Sequence, residues 1–156
     1  MTRFYFTDYW DEDIILDKDI EKYSIAAWQP KKFNFPTLEI FQPILDGKPI
    51  QHVPPREYIF LYAQVLKKNY GDIAQWFFHQ EKDVALLCWC NKSRQKKFPN
   101  VMCHTILAGW TLEDINHSLF NEFIYRSGRN ADWFGSVHRE SEFGWETIEN
   151  ILEGRY

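Results

Sequence analysis

The chain has 156 residues, of which 45% are apolar and 18% aromatic. This composition excludes an intrinsically disordered protein, and the length predicts a single domain, residues 1–156, with one core. The net charge of −4 is unevenly distributed: residues 1–22 carry −4, residues 23–112 carry +5 and residues 113–156 carry −5. The acidic ends disfavour sequence-independent binding to duplex DNA, whereas the basic middle suits a small anion.

The first third of the chain predicts two strands followed by irregular structure. Arg3 to Thr7 is aromatic and β-prone and predicts a first strand, which an acidic connection follows. Tyr23 to Trp28 predicts a second strand that ends at Gln29-Pro30. Five prolines between residues 31 and 55 leave room for no more than one short helical turn, near Leu38 to Phe41.

The centre of the chain predicts two helices and a buried strand. Apolar residues at helical spacing follow Pro54-Pro55, with Gly71 as the expected left-handed end of this helix and Asp72 as the cap of the next. The apolar run VALLCWC, which begins at Val84, is typical of a central strand in a parallel sheet. We therefore predict an α/β fold with a mainly parallel sheet flanked by helices.

The last third predicts helices. Pro99-Asn100 is a typical helix start, which places Cys103 in the first turn. This helix either continues past Thr111 or gives way there to a second helix through Phe123 and Ile124, and the sequence leaves both possibilities open. WETIENILE, from Trp145, predicts a last helix, so that residues 114–156 are expected to form a helical, aromatic and acidic extension.

The end of the predicted central strand and the start of the next helix form the candidate site. In open α/β sheets, ligands bind outside the carboxyl ends of the strands, and helix amino termini attract anions. A thiol in the first helical turn beside a basic loop is favoured as thiolate. The predicted catalytic residues are Cys103, His104 and Cys88, with His104 as proton partner, and the predicted anion ligands are Lys92, Arg94, Lys96 and Lys97.

These residues also fit other roles. A free cysteine at the end of an apolar strand is also typical of core packing, so both roles stay open for Cys88. Cys88 and Arg94 have the spacing of a phosphatase loop, but the loop between them contains no glycine. Cys88, Cys90, Cys103 and His104 are all zinc-ligand types, but their spacing points adjacent side chains apart, and we predict no metal site. The sequence contains no glycine-rich dinucleotide loop, no Walker loop and no Gly-x-Ser-x-Gly motif, and the cofactor is left open.

Part of the chain resembles a known family. Leu86 to Cys88, followed after a loop by Cys103-His104 and an apolar helix, is similar to the YeaO-like family, domain of unknown function number 488. The resemblance covers residues 3–113 and implies a Rossmann-like α/β fold without an established activity. Members often have an acidic residue at the position of Cys90 and an arginine at that of Thr105. The basic loop would therefore have to replace that arginine in any anion site.

Two classes of function follow from these patterns. The first is an enzyme that binds a small anionic or nucleotide-type ligand at the candidate site. The second is a non-catalytic protein-interaction module that uses its aromatic, acidic extension, through Trp133, Phe134 and Trp145. With neither an apolar run of membrane-spanning length nor a signal-peptide pattern in the sequence, we expect no membrane partner and a cytoplasmic location.

Overall fold

The structure is a computed structural model that describes residues 2–50, 55–89, 104–128 and 145–155. A parallel sheet of four strands forms its centre, and a short antiparallel hairpin and a single 3-10 turn at Glu39–Phe41 precede the larger helices. The elements in chain order are β1 (Thr2–Asp8), α1 (Glu12–Ile15), β2 (Glu21–Ser24), β3 (Ile44–Leu45), β4 (Lys48–Pro49), α2 (Pro55–Lys68), α3 (Tyr70–Phe78), β5 (Val84–Cys88), α4 (His104–Ile115), β6 (Asn121–Tyr125) and α5 (Trp145–Leu152).

The sheet has the strand order β2-β5-β1-β6, with every neighbouring pair parallel. The connection from β1 to β2 runs in one direction along the sheet, and those from β2 to β5 and from β5 to β6 run in the other. Because crossovers between parallel strands share one hand, connections of opposite direction lie on opposite faces. The predicted α/β fold, with a mainly parallel sheet flanked by helices, is confirmed.

The two faces of the sheet are covered unequally. On one face, Phe4, Phe6, Val84 and Leu86 pack against α2, α3, α4 and α5 in the main core. On the other face, Ala85 and Leu87 pack in a smaller cluster with residues of α1 and of the segment after β2. The difference follows from the strand sequence, since β5 is apolar at every position and is buried on both sides.

Several local predictions are confirmed. β1, α2, β5 and α5 lie where the sequence placed them, and the 3-10 turn lies at the predicted helical turn near residues 38–41. The second strand was predicted from Tyr23 to Trp28, but β2 covers Glu21–Ser24 and hydrogen bonding to β5 continues only as far as Ile25. At the end of β2, the proline-bearing segment pairs with Ser24, whose amide donates to the Pro36 carbonyl at 2.8 Å.

Two predictions about helix ends are wrong. Gly71 lies inside α3 rather than at the end of a helix. The break between α2 and α3 falls at Asn69, whose side-chain amide donates to the carbonyl oxygen of Ile40 at 3.0 Å. Asp72 therefore belongs to the first turn of α3 and does not cap it.

The predicted helical character of the extension is also wrong for residues 121–125. α4 continues past Thr111 and ends at Ile115, which settles the choice between one helix and two. Phe123 and Ile124 then lie in β6, which pairs with β1 over five residues. The segment after residue 113 therefore completes the sheet. In the parts of the chain that are described, no helix is both long and apolar enough to cross a membrane.

Candidate functional site

The strand order points to the carboxyl ends of β1 and β5 as the ligand-binding edge of the sheet, and we call this position the crevice. The connection that leaves β1 passes over the face of the smaller cluster, whereas the one that leaves β5 leads into α4 on the main-core face. Neighbouring strands whose connections depart to opposite faces leave a gap at their carboxyl ends, where α/β proteins bind ligands. Asp8 and Cys88 end the two strands and are register partners.

Cys88 is fully buried at this edge, on the side of the main core. Its Sγ lies 3.9 Å from the Oγ1 of Thr105, which brings the first turn of α4 against the end of β5. The structure thus brings the predicted strand end against the first described turn of the helix, whereas the predicted helix start at Pro99-Asn100 lies outside the described residues. Complete burial supports the packing role that the sequence left open for Cys88, because thiolate chemistry needs access to a reagent.

His104 connects the start of α4 to the end of β2. Its Nε2 lies 3.2 Å from the carbonyl oxygen of Ile25, and since a carbonyl only accepts, Nε2 carries the proton. The imidazole is 5% exposed and meets the Tyr62 ring edge-on, with 5.3 Å between centroids. Burial lowers the pKa of His104 to about 4. The ring is therefore neutral near pH 7 and is a weak general base there, since an efficient base has a pKa near the working pH.

Tyr9 is a site residue that the sequence did not indicate. It follows β1 directly, is buried, and its hydroxyl lies 2.5 Å from the Oγ of Ser24, at the end of β2. Burial raises the pKa of Tyr9 to about 12, so the phenol keeps its proton, and Cys88 is among the groups that act on it electrostatically. Tyr9 also contacts the ring of Trp89, the residue after β5, with 6.4 Å between centroids. Aromatic side chains therefore border the crevice on the face opposite Cys88.

Asp8 joins the end of β1 to the chain that leaves β6. Its Oδ1 accepts hydrogen bonds from the amides of Trp10 and Gly128, at 3.0 and 3.1 Å, and its Oδ2 accepts one from the Ser127 hydroxyl at 2.6 Å. The carboxylate is only 2% exposed. Three donors to one buried carboxylate make a fixed contact between two strand ends, beside the crevice.

Asp11 makes a second contact of the same kind. It accepts hydrogen bonds from the Thr7 hydroxyl at 2.8 Å and from the Nε and Nη2 of Arg126 at 2.8 and 2.9 Å. Gly128 completes this arrangement, because a Cβ at that position would lie 2.2 Å from the carbonyl atoms of Trp10. We call Asp8, Asp11, Arg126, Ser127 and Gly128 the carboxylate clamp.

The sequence did not identify the carboxylate clamp. The acidic residues after β1 were interpreted as a connection, and Arg126 and Ser127 fell in the segment predicted to be helical. The available signal was Asp8 at the end of the first aromatic run and Asp11 shortly after it, together with Ser-Gly after a second aromatic run. That signal becomes informative only when Asn121–Tyr125 is recognised as a strand.

Several predicted site residues lie outside the described residues: Cys103, Lys92, Arg94, Lys96, Lys97, Trp133 and Phe134. Trp145, the remaining predicted interaction residue, packs edge-on against Tyr70 with 4.7 Å between centroids, and its indole donates to Glu149 at 3.0 Å. Trp145 therefore contributes to packing between α5 and α3. Within the described ranges, no three His, Cys, Asp or Glu side chains are grouped as metal ligands would be.

Comparison of the chain with protein-family models, with curated proteins and with solved structures found no match in any of the three. The resemblance to the YeaO-like family therefore stays a prediction from the motif residues.

Proposed function

We propose that this protein is an enzyme that binds a small anionic or nucleotide-type ligand at the crevice between the carboxyl ends of β1 and β5. The observation that carries the proposal is the change of face between the connections that leave these two strands. This arrangement is the usual ligand position in open parallel sheets.

The start of α4 supports an anionic ligand. His104 and Thr105 place this helix against the ends of β2 and β5, through Ile25 and Cys88. The amino end of a helix carries a partial positive charge and unpaired amides, which stabilise a phosphate or carboxylate group. The loop residues Lys92, Arg94, Lys96 and Lys97 would add charge of the same sign in the proposal.

Burial suggests a division of roles among the predicted catalytic residues. Cys88 is fully buried, so we assign the reactive thiol to Cys103 and a packing role beneath the ligand to Cys88. His104 donates to Ile25, and burial lowers its pKa to about 4, so it fits a positioning residue at the helix start better than a proton acceptor.

Alkylation of the native protein tests this assignment. Iodoacetamide labelling, followed separately for Cys88, Cys90 and Cys103 by peptide mass spectrometry between about pH 5 and pH 9, gives three titration curves from one sample. We expect Cys103 to react well below the ordinary thiol pKa of about 8.5, and more slowly with inorganic phosphate or adenosine monophosphate present. Cys88 should resist until the protein unfolds.

Charge-matched variants separate the basic loop from overall charge. Lys96→Ala/Lys97→Ala removes two predicted ligands, and Lys67→Ala/Lys68→Ala removes two exposed charges from the end of α2. Protection of Cys103 by phosphate should weaken in the first variant and persist in the second. If Cys103 titrates at the ordinary thiol pKa and phosphate does not slow its alkylation, the proposal is wrong. If phosphate protection of Cys103 weakens equally in both variants, the loop acts only through the net charge of the protein.

A further inference from the structure

A cavity of about 280 Å³ lies at the opposite edge of the sheet from the candidate site. It is bordered by the amino-terminal parts of β1 and β6, through Phe4 and Asn121, and by the segments that follow α3 and α4, through Gln80 and Asn116. It therefore lies at the amino ends of the strands, where the helices that connect parallel strands end.

Two helices end at this cavity without a basic side chain in the last turn. α3 ends at Phe78 and α4 at Ile115, and neither has Lys, Arg or His in its last turn. The carboxyl end of a helix carries a partial negative charge on its unpaired carbonyl groups and favours a nearby cation. At the end of α3, the Nδ1 of His79 already donates to the carbonyl oxygen of Gln75 at 2.7 Å. A positive ligand in the cavity would supply a cation to the end of α4, which has no basic side chain in its last turn.

Aromatic rings form the apolar part of the lining. Phe4 and Phe77 are almost fully buried, whereas Phe78 is 61% exposed and stands at the open side. The rings of Phe77 and Phe78 have centroids 5.5 Å apart and planes inclined at 60°, so they form two adjacent walls. Aromatic rings in several planes are the usual surroundings of an alkylammonium group, which they attract through the ring quadrupole.

The polar wall is held in place by hydrogen bonds within the loop after α4. The Oδ1 of Asn116 accepts from the amide of Ser118 at 3.2 Å and from the side chain of Asn121 at 2.9 Å. The Nδ2 of Asn116 donates to the Ser118 carbonyl at 3.0 Å. The lining is thus formed before a ligand binds, which lowers the ordering cost of binding.

The lining of the cavity carries little charge. Among the described residues, no Lys, Arg, Asp or Glu side chain lines the cavity, and His117 is its titratable member. No lysine or arginine among the described lining residues therefore fills the position that a cationic ligand would take. An anionic ligand would have no Lys or Arg partner among these residues.

We propose that this cavity binds a small organic cation of the alkylammonium class. The site is separate from the carboxyl edge of the sheet and does not depend on the function proposed there.

A matched pair of probes tests the role of charge. Choline and 3,3-dimethylbutan-1-ol have the same shape, but only choline carries a positive charge. Titration of the ¹⁵N-labelled protein at about pH 8 should give saturable amide shifts at Phe77, Phe78 and residues 116–118 with choline, and at least about threefold weaker binding of the alcohol. Equal binding of both probes would overturn the cation site, as would no shifts at these residues with choline at about 20 mM.

A pair of exposed apolar positions supplies the matched variants. Phe78→Ala removes a wall of the cavity, whereas Leu16→Ala removes a side chain that is 75% exposed directly after α1. Both substitutions are at exposed positions, so both proteins should fold. We expect Phe78→Ala to weaken choline binding about three- to fivefold and Leu16→Ala to leave it unchanged. The same affinity in Phe78→Ala and the unsubstituted protein would contradict the assignment.

Discussion

Arg126 binds Asp11 through two hydrogen bonds, from Nε and Nη2 to the two carboxylate oxygens, although the residues are 115 positions apart in the chain. Asp11 is 5% exposed, whereas the Arg126 side chain is 39% exposed. Removal of the arginine would leave a buried carboxylate with only the Thr7 hydroxyl among its described side-chain donors.

The first prediction is that Arg126→Ala lowers the free energy of unfolding by about 2 kcal/mol, because a buried carboxylate loses its charged partner. Arg155→Ala is the control, since Arg155 pairs with Glu153 at an exposed position and should cost about 0.5 kcal/mol or less. Urea unfolding measures both. A cost for Arg126→Ala as small as that of the control would show that the clamp does not stabilise the fold.

The second prediction compares two glycines. A Cβ on Gly128 would lie 2.2 Å from backbone atoms of Trp10, which cannot move without disturbing the clamp, so Gly128→Ala should destabilise the protein by about 2 kcal/mol or more. A Cβ on Gly71 would meet nothing within 4 Å, inside α3. Gly71→Ala should therefore stabilise the protein by about 0.5 to 1 kcal/mol. Thermal unfolding of the two variants should shift the midpoint in opposite directions, and shifts of the same sign would contradict this account.

The third prediction concerns stability against pH. The pKa of His104 is lowered to about 4 in the folded protein, below the ordinary value of about 6.5, so the unfolded chain binds more protons between these values. Stability from this group is present above about pH 6.5 and is lost as the pH falls towards 4, by up to roughly 3 kcal/mol.

His104→Gln isolates this contribution, because glutamine does not titrate and its amide is able to donate to Ile25. Urea unfolding of both proteins at several pH values between about 4 and 7 should show the unsubstituted protein losing stability relative to His104→Gln as the pH falls, by up to roughly 3 kcal/mol. Two parallel curves would mean that the histidine does not carry the pH dependence.

The fourth prediction contrasts two buried polar groups in the core. The Nε1 of Trp110 is buried and has no hydrogen-bond partner among the residues that the structure describes, whereas the Tyr62 hydroxyl donates to the Phe41 carbonyl at 2.7 Å. Trp110→Phe removes an unsatisfied donor and creates a small cavity, and these effects should roughly cancel, for a net change within about 1 kcal/mol. Tyr62→Phe should cost about 1 to 2 kcal/mol, because it leaves the Phe41 carbonyl unsatisfied. Chemical denaturation measures the loss of stability in each variant. A larger loss for Trp110→Phe than for Tyr62→Phe would refute this interpretation of the core.

The fold was predictable where a local sequence pattern fits only one kind of secondary structure. Val84–Cys88 is apolar at every position, which in an α/β protein requires a strand buried on both faces. Asn121–Tyr125 has apolar residues whose spacing also fits the end of a helix, and only its pairing with β1 decides that it is a strand. The end of α2 was misplaced for a similar reason, since the turn depends on the contact of Asn69 with Ile40 rather than on Gly71.

The candidate site was predictable in position but not in composition. A strand that ends near Cys88 and a helix that contains His104 followed from the sequence, and they lie together through the contact of Cys88 with Thr105. The predicted helix start at Pro99-Asn100 lies outside the described residues. Asp8 lies beside Cys88 only because β1 pairs with β5 in that register, and no local pattern specifies a pairing across 80 residues. The burial of His104, which lowers its pKa, also depends on packing that the sequence does not display.

The position of β1 in the sheet has a consequence for synthesis of the chain. β1 lies between β5 and β6, and its residues Thr2 and Phe4 pair with Asn121 and Val84. A ribosome must therefore make β5, whose Val84 lies 80 residues after Phe4, before β1 gains its first neighbour, and until then the aromatic residues of β1 lack their partners. Pairings of such long sequence separation slow folding, and unpaired apolar strands are sites of aggregation and of chaperone binding. We expect the nascent chain to depend on chaperones until β6 has left the ribosome.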